Sequence, residues 1–551
     1  MATRQVAYFS MEIAIANDVY TYSGGLGVLA GDSLRSGADL GLPMVGVTLV
    51  SRKGHFRQEL TREGRQTEHP SPWDPSRRMQ MVPEEVRVRI QGRDVRVRAW
   101  LHAIKSPNGG SVPVYLLDTD VEGNAPEDRE ITSYLYGGDD RYRLKQEAVL
   151  GIGGARMLEA RGIEVRKYHM NEGHASLLAL ELLNRHGGSV EKVKSLCAFT
   201  THTTVEAGHD RFPHCLVKEV LGDFVPDDLL KRLGGEDFLN LTLLAMNLSG
   251  YVNGVAKMHR DVSMQLFPNH EVHAITNGVH PYTWTCESFR RLYDRHFPGW
   301  AYEPELLVKV DEVPAEEVWD AHREAKTRLI DYVNRAKDAD LEYDALTIGV
   351  ARRVTEYKRT NLLFADLARL RKIGRNSPVQ VVFAGKAHPQ DFNGKRMIEE
   401  IYGHARALKD EIRIAYLENY DMDIASRLVA GADVWLNTPS PPKEASGTSG
   451  MKAAFNGVVN FSVLDGWWIE GWVEGVTGWA IGPHPREAVP PEERKEMEVN
   501  DLYDKLEYII VPKYYYERDE WIRTMKNSME KIPFFFNSHR MMRRYVVEAY
   551  F

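Results

Sequence analysis

Short apolar runs punctuate the second half of the chain, and a stretch with helical spacing follows each of the first four. Residues 345–351 (ALTIGVA), 379–385 (VQVVFAG), 412–417 (IRIAYL), 433–438 (DVWLNT) and 458–464 (VVNFSVL) read as buried strands. Helices are predicted from about residue 361, from about residue 392, through the ASRLVAGA segment and across Lys452. Strands alternating with helices predict a parallel sheet covered by helices. In such sheets ligands gather at the carboxyl ends of the strands. The conspicuous polar residues of this half fall just past those runs: Arg352 and Arg353, Lys386, Asn419 and Tyr420, and Thr438.

The first half is less regular. Residues 43–50, 86–104 and 112–118 read as strands, the middle stretch alternating as an exposed hairpin does. Residues 165–183 read as strand, loop and helix, and 196–204 as a strand ending in polar residues. A second α/β sheet is therefore predicted, with an N-terminal unit over residues 1–252 and a C-terminal unit over 253–551. The charged helical stretch 311–337 reads as surface. A length of 551 residues agrees with two or more domains, since it exceeds what one hydrophobic core supports.

Composition changes this picture little. Hydrophobic residues make up 43% and charged residues 27%, which is ordinary for a soluble globular protein. A net charge of −8 argues against a nucleic-acid binder or a polybasic membrane protein. Cys197, Cys215 and Cys286 form no C-x-x-C pair, so neither a zinc ribbon nor a disulfide framework is indicated, and a reducing compartment fits. The N-terminal apolar run is too short for a signal peptide and is interrupted by Glu12. No run of about 18 uncharged apolar residues exists to span a membrane. A cytoplasmic location is the expectation.

The candidate chemistry lies in a few segments. Residues 444–457 (EASGTSGMKAAFNG) join a carboxylate, glycines and small hydroxylated side chains to one lysine, Lys452, on the rising edge of a helix. Bare backbone can approach a ligand closely, and a helix start suits an anion. A lysine among apolar neighbours is the type of amine that forms a Schiff base with an aldehyde cofactor. Residues 351–361 (ARRVTEYKRTN) place Arg352, Arg353, Lys358 and Arg359 after a strand, where they can serve a phosphate or form a solvated basic face. Residues 22–32 (YSGGLGVLAGD) put Gly24, Gly25 and Gly27 before an apolar helix, as an anion loop or as a tight turn. This loop lacks the full dinucleotide and P-loop patterns. The NEGH, THT, VNGVAKMH and TNGVHP segments offer polar groups suited to sugar hydroxyls or to structural caps. The tryptophans of DGWWIEGW, residues 465–472, can stack on sugars or anchor packing. No histidine pair has H-E-x-x-H spacing, so no catalytic metal is predicted.

Taken together, these segments resemble the α-glucan phosphorylases, the glycogen and maltodextrin phosphorylase family. The resemblance runs from FSMEIA and YSGGLG to SHRMMRRYVVEAYF, with ARRVTEYKR and EASGTSGMKAAFNG as its specific motifs. It implies two Rossmann-like domains facing across a deep cleft (the GT-B arrangement), with the last helix crossing back to the first domain, and a homodimer. It implies pyridoxal 5′-phosphate on Lys452, with Arg352, Tyr420, Thr448, Ser449 and Gly450 around the cofactor. It implies that Arg353 and Lys358 hold the substrate phosphate beside Gly24 and Gly25. His202, Asn253, Tyr357, Glu444, Ser446 and Gly447 match the residues around the glucosyl unit, and His174 matches the histidine of the family's N-D-x-H segment. That segment reads N-E-G-H here, so no family role is carried over to Glu172. Arg352 stands where better-known members have lysine, and Ser449 and Gly450 replace the usual Gly-Asn pair.

The reaction implied is reversible phosphorolysis of α-1,4-glucans to glucose 1-phosphate, with the cofactor's 5′-phosphate as acid/base partner of the substrate phosphate. Because the sequence begins close to FSMEIA, no phosphorylation switch and no nucleotide effector site are expected. Two rival readings follow from the same residues. One is a nucleotide-sugar-dependent glycogen or starch synthase-like transferase, which needs no lysine at position 452. The other is a non-catalytic glucan-binding protein, which needs neither that lysine nor the cation cluster.

Overall fold

A computed structural model describes residues 4–337 and 339–551. The chain divides into two compact units. The first comprises residues 1–56, 70–276 and 538–551, and the second residues 57–69 and 277–537.

The first unit is built on a nine-stranded sheet. In spatial order its strands are His273–Ala274, Tyr251–Gly254, Cys197–Thr200, Val165–Asn171, Gln5–Ser10, Met44–Leu49, Ser111–Asp118, Arg93–Lys105 and Gln80–Ile90. The first seven run parallel, and the last two add an antiparallel edge. The central strands are buried along their length, as parallel strands covered on both faces must be. Met541, Met542, Tyr545 and Tyr550, from the end of the chain, join Val6, Tyr8, Leu34 and Val114 in the core on one face. The boundary expected at residue 253 falls inside the Tyr251–Gly254 strand. That strand pairs with Cys197–Thr200, so the unit runs on to Thr276.

The second unit holds a six-stranded parallel sheet. Its spatial order is Arg413–Leu417, Val379–Ala384, Leu346–Ala351, Val434–Asn437, Val459–Val463 and Gly478–Ile481. Counted along the chain this is order 3-2-1-4-5-6, that of a dinucleotide-binding sheet. Five of these strands are the apolar runs of the sequence, and Gly478–Ile481 is additional. Helices begin where Asp366, Asp391 and Asp421 accept N–H groups of the first turn. The helix expected from residue 361 starts only at Leu367. Arg359 adopts a left-handed conformation (φ 45°) and bonds the Thr438 carbonyl, and the chain around it forms only two short 3-10 turns, Glu356–Lys358 and Leu362–Phe364, before the α-helix begins. The charged helix Ala315–Lys337 is not simply surface. One face, with His322, Lys326, Leu329 and Val333, is buried.

Candidate active site

In the first unit, chemistry collects where the strands Gln5–Ser10, Val165–Asn171 and Cys197–Thr200 end. Glu12, just past the first of these, is buried. Its carboxylate accepts the backbone N–H of Ser23 (2.6 Å) and Gly24 (3.2 Å) and the Tyr136 hydroxyl (3.0 Å). Glu12 thereby fixes the loop that opens the helix Gly25–Asp39. Glycine is required at 27, since a Cβ there would lie 2.6 Å from Tyr22 Cβ and 2.7 Å from Glu12 Oε2. At Gly24 and Gly25 a Cβ would meet nothing within 4 Å, so bare backbone borders open space. The Gly24 N–H is committed to Glu12. The Gly25 N–H, first in its helix, has no intrahelical acceptor.

The second strand end supplies Asn171, Glu172 and His174. Glu172 is held at φ 74°, an uncommon conformation for a side-chain-bearing residue. Its Oε2 accepts the His202 N–H (2.7 Å) and the Thr203 hydroxyl (3.0 Å), and its Oε1 accepts the Gly173 N–H (3.0 Å). Asn171 donates to Ser10 Oγ (3.1 Å) through Nδ2, so its Oδ1 accepts from His202 Nε2 (2.8 Å). The His202 proton is thus on Nε2, leaving Nδ1 as an acceptor. Burial pushes the His202 pKa down to about 4, so the ring is neutral at physiological pH. His174 Nε2 lies 3.1 Å from Asp210, which Arg143 also holds at 2.8 Å. Burial raises the Asp210 carboxyl, but His174 and Arg143 outweigh it and hold the pKa at about 2.

Asn253, expected among the glucosyl-binding groups, is buried and committed internally. Its Oδ1 accepts from Thr200 Oγ1 (2.8 Å), and its Nδ2 donates to the Gly254 carbonyl (3.0 Å) and the Tyr545 hydroxyl (3.1 Å). Its role in the structure is to tie the end of the sheet to the terminal helix.

In the second unit the first strand end gives the basic segment. Arg352 is buried, with Nη1 bonded to the Lys358 carbonyl (3.3 Å) and Nη2 to the Leu436 carbonyl. Its Nε is buried without a partner. Among the described residues no carboxylate lies in ion-pair range of it. Burial lowers its pKa to about 10, which leaves it charged at neutrality. Lys358 pairs with Glu444 and stands 4.9 Å from the Tyr357 ring centroid. Burial disfavours its charge, but Glu444 more than restores it and the pKa is raised. Arg359 is spent on Glu498 (2.6 Å). Arg353 is exposed. Along an extended segment consecutive side chains face opposite ways, so the structure brings Arg352 and Lys358 together and leaves Arg353 outside the cluster.

Glu444 is placed by its own N–H, which donates to Asp465 Oδ2 (2.9 Å). Burial, reinforced by Glu444, raises the Asp465 pKa to about 8. Gly447 (φ 76°) turns the chain against Glu444, and Ser446 Oγ is buried without a partner. Thr448 precedes the short helix Ser449–Ala454, and Ser449 Oγ accepts the Trp435 indole N–H (2.9 Å). Gly450 packs so closely that a Cβ would lie 2.1 Å from Asn460 Oδ1. Lys452 is buried with its Nζ 3.7 Å from the Trp284 ring centroid. Tyr420 acts electrostatically on Arg352. Trp467 and Trp468 are buried packing anchors, Trp467 lying edge-on to Phe536.

Residues 230–476 match the sequence profile of the carbohydrate phosphorylases. Over 99% of its length the chain is 39% identical to the maltodextrin phosphorylase of Thermococcus litoralis, covering 70% of that protein. The chain belongs to the carbohydrate phosphorylase family. Over the same share it is 37% identical to the glycogen phosphorylase of Aquifex aeolicus, covering 86% of it, and 36% identical to that of Mycobacterium tuberculosis, covering 70%.

In this phosphorylase-family chain, sequence reasoning missed four groups that shape the site: Glu12, Tyr136, Asp210 and Asp465. Two had a visible signal. Glu12 and Asp465 are each an acid set directly behind an apolar strand, in YFSME and NFSVLD. Tyr136 and Asp210 carried none, since loops bring them to Glu12 and His174.

Proposed function

We propose that this protein carries out reversible phosphorolysis of α-1,4-glucans, releasing α-D-glucose 1-phosphate, with pyridoxal 5′-phosphate bound at Lys452. The observation that carries the reading is Arg352, a buried guanidinium without a carboxylate partner, in a chain of the carbohydrate phosphorylase family. Glu444 offsets only part of the burial, so a charge in that state favours an anionic ligand. The residues fit the cofactor: a buried primary amine at 452 for its aldehyde, and the orphaned Arg352 Nε as a donor. When bound, the cofactor supplies a phosphate group able to exchange a proton with the substrate phosphate.

The chain's own groups do the remaining work. In the forward direction the glycosidic C1–O4 bond breaks, a proton from inorganic phosphate goes to O4, and a phosphate oxygen bonds to C1. Two unit negative charges ~4 Å apart repel by roughly 4 kcal/mol at an effective dielectric of ~20, so a second anion beside the substrate phosphate would need compensation. Arg352 and Lys358 offset that repulsion and stabilise negative charge opposite the cationic sugar centre. Neutral His202 accepts a sugar hydroxyl at Nδ1, and Glu444, Tyr357, Ser446 and Gly447 are the second unit's groups for a glucosyl residue. His174, braced by Asp210, is a further substrate-binding group of the first unit.

The two-domain cleft arrangement, the homodimer and the cytoplasmic location belong to this same reading. No helix among the described residues is long and apolar enough to cross a membrane. The test is release of glucose 1-phosphate from maltoheptaose and glycogen by inorganic phosphate, with a visible spectrum of the protein. Lys452→Ala should lose the cofactor absorbance and the activity together. Cofactor-free protein that phosphorolyses glucan, or cofactor-loaded protein that releases no sugar phosphate, overturns the proposal.

A further inference from the structure

The second unit contains a segment that the chain takes from the middle of the first. Residues 57–69 form a two-stranded antiparallel hairpin, Arg57–Leu60 against Gln66–His69, flanked on both sides by residues of the first unit. Its place in the second unit is specific. The Gln58 N–H donates to Asn419 Oδ1 (2.6 Å), and the Asn419 N–H donates back to Gln58 Oε1 (3.0 Å). Gln58 Nε2 donates to the Gly385 carbonyl (3.0 Å). Gln66 Oε1 accepts the Ala387 N–H (3.1 Å), and its Nε2 donates to the Ala387 carbonyl (2.9 Å). Further out, Glu68 pairs with Lys395 (2.8 Å), and Gly64 lies flat against Tyr402. Gln58 is fully buried.

These partners mark one location in the sheet. Gly385 and Ala387 follow the strand Val379–Ala384, and Asn419 follows Arg413–Leu417. They are the carboxyl ends of the second and third strands in an order of 3-2-1-4-5-6. In a sheet wound this way, the loop after the first strand takes phosphate, and the ends of the neighbouring strands take the ribose and base attached to it. Here the first-strand loop keeps its anion groups, Arg352 and Lys358. The ground beside it is filled, and the hairpin satisfies the Gly385 and Ala387 carbonyls, the Ala387 N–H and the Asn419 side chain.

We propose that the hairpin 57–69 is a built-in specificity element, which occupies the nucleoside half of the second unit's ligand site and restricts the Arg352–Lys358 loop to phosphates that carry no nucleoside. The inference rests on reading that loop as the anion cradle. It explains in physical terms how a dinucleotide-type sheet refuses ADP or a nucleotide sugar while accepting inorganic phosphate. Gln58 and Gln66 are the residues that enforce the exclusion, because they reach the strand ends and spend the hydrogen bonds a ribose or base would need.

The test reads nucleotide binding directly and does not depend on turnover. In one variant, residues 58–68 are replaced by two glycines, joining Arg57 to His69, which face each other in the hairpin. In a second variant, Gln58→Gly and Gln66→Gly are combined and the hairpin backbone is kept. ADP binding to each cofactor-loaded protein is measured by calorimetry with and without inorganic phosphate, after circular dichroism confirms folding. The intact protein should show no phosphate-competitive ADP binding at millimolar concentration. A folded variant should gain it by about tenfold or more in affinity, or about 1.4 kcal/mol. Should the shortened chain not fold, the glycine pair gives the answer. Phosphate-competitive ADP binding to the intact protein, or no gain in either folded variant, overturns the inference. Failure of the proposed activity would show separately, as the absence of glucose 1-phosphate.

Discussion

The Glu172 carboxylate accepts the backbone N–H of His202 at 2.7 Å, and the His202 ring is held by the residue that precedes Glu172, Asn171, at 2.8 Å. Two neighbouring residues thus grip one histidine at its backbone and at its ring. Glu172 has three donors aimed at it, two at Oε2 and one at Oε1. Glu172→Gln keeps the shape but turns an –NH2 group toward at least one of those donors. Leaving buried donors unsatisfied costs about 1–3 kcal/mol. We expect kcat/KM for glucan to fall roughly 10- to 100-fold by the same energetics. Steady-state kinetics of the variant, beside its urea midpoint, check this, and unchanged kinetics would free Glu172 from any positioning role.

Lys326 and Asp433 form a buried pair at the other end of the second sheet. The ammonium lies 2.6 Å from Asp433 Oδ2, 2.7 Å from the Ala345 carbonyl and 2.9 Å from the Tyr514 hydroxyl. Asp433 also accepts from His322 (2.8 Å) and from the Thr347 N–H (2.7 Å). Lys326→Met strands a carboxylate with no solvent access, which costs about 3–5 kcal/mol. Urea unfolding should register that loss while kcat of the folded variant stays within about twofold, since the pair touches no proposed site residue. A loss below ~1 kcal/mol would mean that the network is not a single electrostatic unit.

Much of the second unit was legible because its strands are continuous apolar runs, the pattern a doubly covered parallel sheet imposes. The burial of Lys452 was legible for a related reason, since apolar neighbours flank it in the sequence, and the structure sets its amine beside Trp284. Arg353 shows where reading stopped. Spacing leaves each of the four cations open between a phosphate group and a solvated basic face, and only the folded backbone shows that Arg352 is buried and Arg353 exposed. Asn253 matches a glucosyl-binding residue by resemblance alone, and its amide bonds with Thr200 and Tyr545 depend on partners distant in sequence. The hairpin 57–69 gave no warning, because sequence order cannot say that a segment leaves its own unit for another sheet.

Acid sensitivity should concentrate in the first unit. Burial lowers the pKa of His169 to about 3 and those of His202 and His259 to about 4. In the unfolded chain these rings titrate near ~6.5. Below that value the unfolded state takes up protons the folded state refuses, so stability falls as pH drops from ~6.5 toward ~4, by up to roughly 1.4 kcal/mol per pH unit for each ring. Above ~6.5 all three are neutral in both states and contribute no pH dependence. Urea midpoints followed by probes in the first unit, at about pH 7 and about pH 5, should therefore separate widely. His259→Gln should narrow the gap, and an equal gap would mean that the ring is not buried neutral.

Arg352 and Arg353 give the sharpest separation of fold from function. Arg353 is exposed and Arg352 buried against the Leu436 and Lys358 carbonyls. Removing Arg353 takes away no packed contact, so Arg353→Ala should leave stability within about 0.5 kcal/mol. If its guanidinium swings onto substrate phosphate, as the family resemblance implies, one charge-assisted bond worth about 1.5–3 kcal/mol disappears. The KM for phosphate should then rise roughly 10- to 100-fold with cofactor retained. Arg352→Met acts on both counts: it empties a buried anion-facing position, so cofactor occupancy and phosphate affinity should fall together. Absorbance of the bound cofactor, phosphate KM and the urea midpoint, measured on both variants, distinguish the two. An Arg353→Ala enzyme with normal phosphate KM would assign the phosphate to Arg352 and Lys358 alone.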